Sequence, residues 1–242
     1  MHPEKLQSFV LSALDYGDND RIVSLFTLEQ GRIKAFARGA RKSRKRFGPA
    51  LEPFARIDVQ ARLREGLSTL QQADIISVYP AIRTDLARIA HAIYVCELVD
   101  MITPEGHPIP RLYRLVSTYL DRLETTVALE ADRRFFEINV LNILGYRPSL
   151  ETCSRCDSPI AETGAVLQEG GQTVCRLCSS HGPPISATSL KTLAACLKTG
   201  SFGLVVFSEE TLQQAARLLD SSIAAHCGRQ LKSLEFLSMT SR

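Results

Sequence analysis

The sequence predicts an α+β chain, a small five-stranded barrel over residues 1–79 followed by an all-helical domain over residues 80–242 that carries a cysteine-rich insert at about 150–185. Three observations predict it. Short apolar stretches broken by turn residues fill the first 80 positions, and after Pro80 the apolar spacing switches to a helical period. That period then lapses where Cys, Ser, Gly and Pro gather between residues 150 and 185. With 242 residues, 45% of them apolar and 23% charged, the composition excludes a disordered chain, a fibre and a membrane bundle. No apolar run approaches the roughly 18 residues of a membrane helix, and Met1-His2-Pro3-Glu4-Lys5 lacks the build of a signal peptide, so a cytoplasmic location is expected.

The expected strands are residues 6–14, 21–28, 32–38, 54–61 and 67–78. Asp15-Tyr16-Gly17-Asp18-Asn19-Asp20 and Glu29-Gln30-Gly31 supply the first two turns, and Arg32-Ile33-Lys34-Ala35-Phe36-Ala37-Arg38 alternates polar and apolar with period two. Five strands in about 75 residues match the size of the Greek-key barrel called the OB-fold, which recurrently binds oligonucleotides, although an SH3-like barrel has a similar count. Helical spacing follows in Leu86, Ile89, Ile93 and Cys96, then over residues 111–123, then in Ala131, Phe135, Ile138 and Leu141 up to a stop at Gly145. Glu130 and Asp132 at the start of that third helix suit its dipole. Beyond the insert, helices resume at Leu190, stopping at Gly200, and after an expected N-cap at Ser208, stopping at Gly228.

Two constellations carry chemistry. Cys153, Cys156, Cys175 and Cys178 form C-x2-C-x18-C-x2-C, the spacing of a four-thiolate zinc site, with a hairpin turn expected at Gly170-Gly171. Four thiolates close a tetrahedral site and leave no position for water, so one structural zinc ion is expected, and His181 is an alternative ligand. The other three cysteines, Cys96, Cys196 and Cys227, sit in apolar surroundings and read as small buried hydrophobes. The second constellation is the stretch 38–46, where six of nine residues are Arg or Lys and none is acidic. Crowded like charges repel unless an anion neutralises them, and nucleic acid is the natural anion. Lys34, Arg32 and Arg56 are expected to extend this surface, with Phe36, Phe47 and Phe54 as candidate stacking rings. No phosphate-binding loop, nucleophile elbow or His-Glu-x-x-His motif is present, so no catalytic residue is assigned and the chain is not expected to be an enzyme.

The basic stretch running into Phe47-Gly48-Pro49-Ala50-Leu51-Glu52-Pro53-Phe54 resembles the bacterial recombination mediator family RecO. So do Phe135-Phe136-Glu137 with Leu141, Leu144, Gly145-Tyr146, Pro148, Leu150 and Cys153, and Leu231-Lys232-Ser233 with Phe236-Leu237. The resemblance runs nearly the whole length. It implies an N-terminal OB domain, a helical domain and a four-cysteine zinc element. It also implies binding of single- and double-stranded DNA, strand annealing, and action with RecR to load RecA onto DNA coated by single-strand DNA-binding protein, whose C-terminal tail the helical domain binds. Such a protein works in the bacterial cytoplasm at the nucleoid, not at a membrane. DNA binding is carried onto Lys34, Arg38, Arg41, Lys42, Arg44, Lys45, Arg46 and Arg56. The alternatives weighed from the residues are an RNA-binding or ribosome-associated OB/zinc module, a zinc enzyme, which the closed thiolate set disfavours, and a plain scaffold.

Overall fold

The computed structural model describes residues 2–43 and 46–240. Strands β1 (Glu4–Tyr16), β2 (Asp20–Thr27), β3 (Gly31–Ala37), β4 (Arg56–Arg62) and β5 (Leu67–Ser77) close into a barrel in the order β1-β2-β3-β5-β4. Every neighbouring pair is antiparallel except β3–β5, which runs parallel. This is the strand order of an OB-type barrel. Alternation does the sorting: on β3, Ile33, Ala35 and Ala37 point inward while Arg32, Lys34 and Phe36 point out. β1 is longer than expected because Asp15 and Tyr16 pair with Arg21 and Asp20 instead of turning. β4 starts two residues late, since Phe54 takes a left-handed φ of 56° that no strand accommodates.

Among the described residues six α-helices follow: α1 (Leu86–Ile102), α2 (Pro110–Thr125), α3 (Glu130–Leu144), α4 (Ala187–Lys198), α5 (Glu209–Cys227) and α6 (Ser233–Thr240). The last has no counterpart in the sequence expectation. By packing, the chain forms two compact units, Met1–Val127 with Leu231–Arg242, and Ala128–Gln230. In the first, α1 begins at an Asp85 cap whose carboxylate accepts from the Arg88 N–H. Further along α1, Asp100 accepts from the hydroxyls of Ser12 and Ser24 on the barrel wall, at 3.4 and 2.7 Å. Tyr113 of α2 packs on Phe9, 5.0 Å between ring centroids. The backbone N–H groups of Lys232 and Ser233 donate to the Glu97 carboxylate at 3.0 and 2.8 Å, fastening α6 to α1.

The second unit holds α3, α4, α5 and a small sheet of β6 (Ala165–Leu167), β7 (Thr173–Val174) and β8 (Pro184–Ile185), in the order β7-β6-β8. Ser186 and Ser208 cap α4 and α5 by accepting from the Ser189 and Thr211 N–H groups, and Gly145 and Gly228 end α3 and α5 in the left-handed conformation. The centre of α3 is ionic. Glu137 is fully buried and accepts from Arg134 at 2.7 Å and Arg133 at 3.4 Å, while Arg134 also reaches Asp220 on α5 at 2.6 Å. Glu130 does more than face the helix dipole, because it is itself ion-paired to Arg133 and Arg134. Cys96 and Cys196 are buried, as expected of small hydrophobes, and burial pushes both thiols up to about 12. Among the described residues no helix is long and apolar enough to cross a membrane.

Candidate nucleic-acid interface and metal centre

The basic stretch is tied down at both ends. After β3, the Gly39 N–H donates to the Asp20 carboxylate at 2.7 Å and the Arg41 N–H to the Asn19 carbonyl at 3.0 Å, which press the loop onto the β1–β2 turn. The Arg41 guanidinium pairs with Asp15 at 3.5 Å and donates to the carbonyl of Asp18. Arg46 donates to the Arg38 carbonyl at 2.7 Å and lies over the Phe47 ring. Phe47 then enters the barrel and, with Ala50 and Leu51 from the turn Gly48–Leu51, joins the interior cluster of Val10, Leu25, Ile57 and Leu70. Burying that ring contributes about 1.5–3 kcal/mol. Arg38, Arg41, Lys42 and Arg46 remain exposed, so an apolar plug and a set of backbone bonds hold a cationic loop at the surface. Arg44 and Lys45 lie outside the described residues.

Of the remaining expected residues, Lys34 is exposed on the outer face of β3. Arg56 is not presented with them. Its guanidinium donates to Ser117 of α2 at 3.2 Å and lies 5.9 Å from the Phe9 ring. Arg32 is likewise committed, donating to the Thr103 carbonyl at 3.0 Å beside Asp100. Phe47 and Phe54 are 2% and 4% exposed, so neither is a stacking platform, and Arg83 covers the Phe54 ring. Phe36 is the ring that stays partly open. Tyr16 of β1, which the sequence placed in a turn, meets it edge to face at 5.9 Å. Register aligns Leu14, Ile22 and Phe36 in one outward row across β1, β2 and β3, with Lys34 and Arg38 beside it on β3 and at its end. Only strand register reveals this row, and β1 had to extend through Tyr16 to bring that ring against Phe36. A cleft of about 610 Å³ opens elsewhere on the barrel, between the β2–β3 turn and the β4–β5 loop, and none of the expected DNA-binding residues lines it.

The four cysteines come together as their spacing requires: their sulfurs all lie within 4.8 Å of one another, and Cys156 and Cys175 are 3.7 Å apart. A tetrahedral ion with metal–sulfur bonds of about 2.3 Å demands sulfur separations near 3.8 Å, so the set fits a zinc-sized cation. Each pair is folded as a knuckle, with the Asp157 N–H donating to the Cys153 carbonyl and the Cys178 N–H to the Cys175 carbonyl. Burial raises the Cys153 pKa, but backbone N–H groups of Cys175, Arg155 and Cys156 outweigh this and lower it, while the other sulfurs of the cluster push the Cys178 thiol up. The hairpin turn falls at Gly170-Gly171, as expected. Gly171 has φ of 74°, and a Cβ there would strike Ser222 of α5 at 1.8 Å, so only glycine fits. His181 stands apart from the sulfur set and contacts Ser180.

An OB-type barrel with a cationic loop, joined to helices and a four-thiolate element, defines the class of protein. Comparison with known families carries this further. The family model described as Recombination protein O N terminal matches residues 1–79, and that described as Recombination protein O C terminal matches residues 83–235. The DNA repair protein RecO of Pelobacter propionicus is 61% identical over 242 residues, all of this chain and 98% of its own length. That of Geobacter sulfurreducens is 50% identical over 98% of both chains, and that of Anaeromyxobacter dehalogenans strain 2CP-1 is 37% identical over 98% of this chain and 96% of its own. The chain belongs to the RecO family of DNA repair proteins.

Proposed function

We propose that this chain is a non-catalytic recombination mediator that binds single- and double-stranded DNA and anneals complementary strands. It acts with RecR to load RecA onto DNA coated by single-strand DNA-binding protein, and its helical part engages that protein's C-terminal tail. It works in the cytoplasm at the nucleoid. The DNA-binding domain is the barrel, residues 1–79, and the contact is made by Arg38, Arg41, Lys42, Arg44, Lys45 and Arg46 with Lys34 on the adjoining strand. The observation that carries the reading is the anchored loop: cations held at the surface by an apolar plug, beside an outward row that ends in Phe36, with Tyr16 edge to face against it. Phosphates neutralise such a loop, and unstacked bases find a platform next to it.

Residues 80–242 form the helical domain in this reading, and Cys153, Cys156, Cys175 and Cys178 hold one zinc ion whose task is to fold the insert. The ion supplies tetrahedral cross-linking and no open ligand position. The test is annealing of complementary oligonucleotides coated with single-strand DNA-binding protein, with RNA of the same sequence as competitor. Faster annealing, competed by DNA in preference to RNA, is the expected result. Equal or better competition by RNA would instead favour an RNA-binding module.

A further inference from the structure

Gly145-Tyr146 marks the end of α3, and nothing in the barrel's interface uses it. Here the phenol of Tyr146 stacks face to face on the imidazole of His226, in the last turn of α5, with 4.0 Å between ring centroids and 12° between planes. The pair is not needed to stop either helix, because Gly145 and Gly228 already do so and the Tyr146 N–H already donates to the Leu141 carbonyl at 2.7 Å. Nor is it covered. Tyr146 is 42% exposed, and His226, Arg147 and Arg229 are exposed with it. Residues 224–230 contain no Asp or Glu, and Arg229 follows His226 by three positions, whereas Arg147 lines a separate small cavity with Glu151 and Lys198.

An exposed flat π-surface on a segment that carries a cation and no acid suits a ligand that is itself flat and anionic, and a nucleotide of a single strand is both. We infer that Tyr146 and His226 form a second nucleic-acid contact, on the helical unit, where one unstacked base lies on the ring pair and Arg229 takes a neighbouring phosphate. This rests on the reading that the chain binds DNA. A duplex offers no free base face, so the contact discriminates single strands from duplex, whereas a purely cationic surface does not.

The chain contains no tryptophan, so Tyr146→Trp places a single reporter in the stack of the full-length protein. Titration with a single-stranded oligothymidylate quenches its fluorescence, and duplex does not. Tyr146→Ala weakens single-strand binding roughly tenfold, the size of one base–aromatic stack, and leaves duplex binding within about twofold, while Tyr146→Phe behaves as wild type. The variant with Arg41, Lys42, Arg44, Lys45 and Arg46 changed to Ala loses affinity for both. If that variant loses binding while Tyr146→Ala does not, or if Tyr146→Ala lowers single-strand and duplex binding equally, this inference falls and the mediator reading stands. If the wild type binds neither DNA form, both fall.

Discussion

The metal centre and the basic loop differ in how much of their geometry a linear sequence carries. Four cysteines at this spacing suit a metal ion that would draw all of them to a point, and the sulfurs converge within 4.8 Å. Six cations in nine residues carry no such instruction. The described part of the run is placed by groups outside it: Asp20 and Asn19 at one end, Phe47 in the barrel interior at the other, and Asp15 beside Arg41. Ligation specifies positions through its own bonds, whereas a charged surface is specified by whatever apolar scaffold holds it.

The largest expected effect breaks the first half of that comparison. Structural zinc contributes on the order of 10–16 kcal/mol of apparent binding free energy in small peptides. Cys175→Ser should therefore lower the metal content and loosen residues around 150–185. Metal analysis should fall from one zinc per chain to near none, and hydrogen exchange should quicken in the insert but not in β1–β5. Full zinc occupancy in the variant would show that the sulfur set is not the site.

The second effect bears on the loop. Replacing Arg41, Lys42, Arg44, Lys45 and Arg46 by Ala should cost several kcal/mol of DNA affinity at low salt with the melting temperature of the barrel little changed, because Arg41, Lys42 and Arg46 are exposed. Two phenylalanines then sharpen the contrast between scaffold and surface. Phe47→Ala should destabilise the barrel by about 3–5 kcal/mol in denaturant melts. Phe36→Ala should leave stability nearly unchanged and remove about 1–3 kcal/mol of single-strand affinity.

The fold was legible where one period dominates. β3 and β5 fall within a residue of their expected limits, and the caps at Ser208, Gly145 and Gly228 stand where residue type put them. Pairing decided the rest. Asp15 and Tyr16 read as turn residues until Arg21 and Asp20 claim them in a ladder, and that extension creates the Tyr16–Phe36 contact. Arg32 and Arg56 look like their exposed neighbours in sequence but are taken up by Thr103, Asp100 and Ser117, residues 60 or more positions away. Nothing local announces that Glu137 is buried, since its partners include an arginine that also answers to Asp220 on another helix. α6 is short and its start is satisfied by Glu97, so its own sequence carries no capping signal.

The smallest expected effect concerns that ionic cluster. Burial raises the pKa of Glu130, but Arg133 and Arg134 outweigh it and hold the carboxylate below its ordinary range. A depressed folded pKa gives stability that is present above the unfolded value and lost as the pH falls through the folded one. The helical unit should therefore melt earlier with acidification, and Glu130→Gln should flatten that part of the profile. An unaltered acid slope in the variant would place the dependence on other carboxylates.

The most direct test of the account is the salt dependence of oligonucleotide binding by the wild type and the five-residue loop variant. Each phosphate contact on a single strand contributes a slope of about −0.7, so the six cations of the loop set a limit of roughly −4 for the wild type, with most of it lost in the variant. A wild-type slope that the variant retains would contradict the assignment of the anchored loop as the DNA contact.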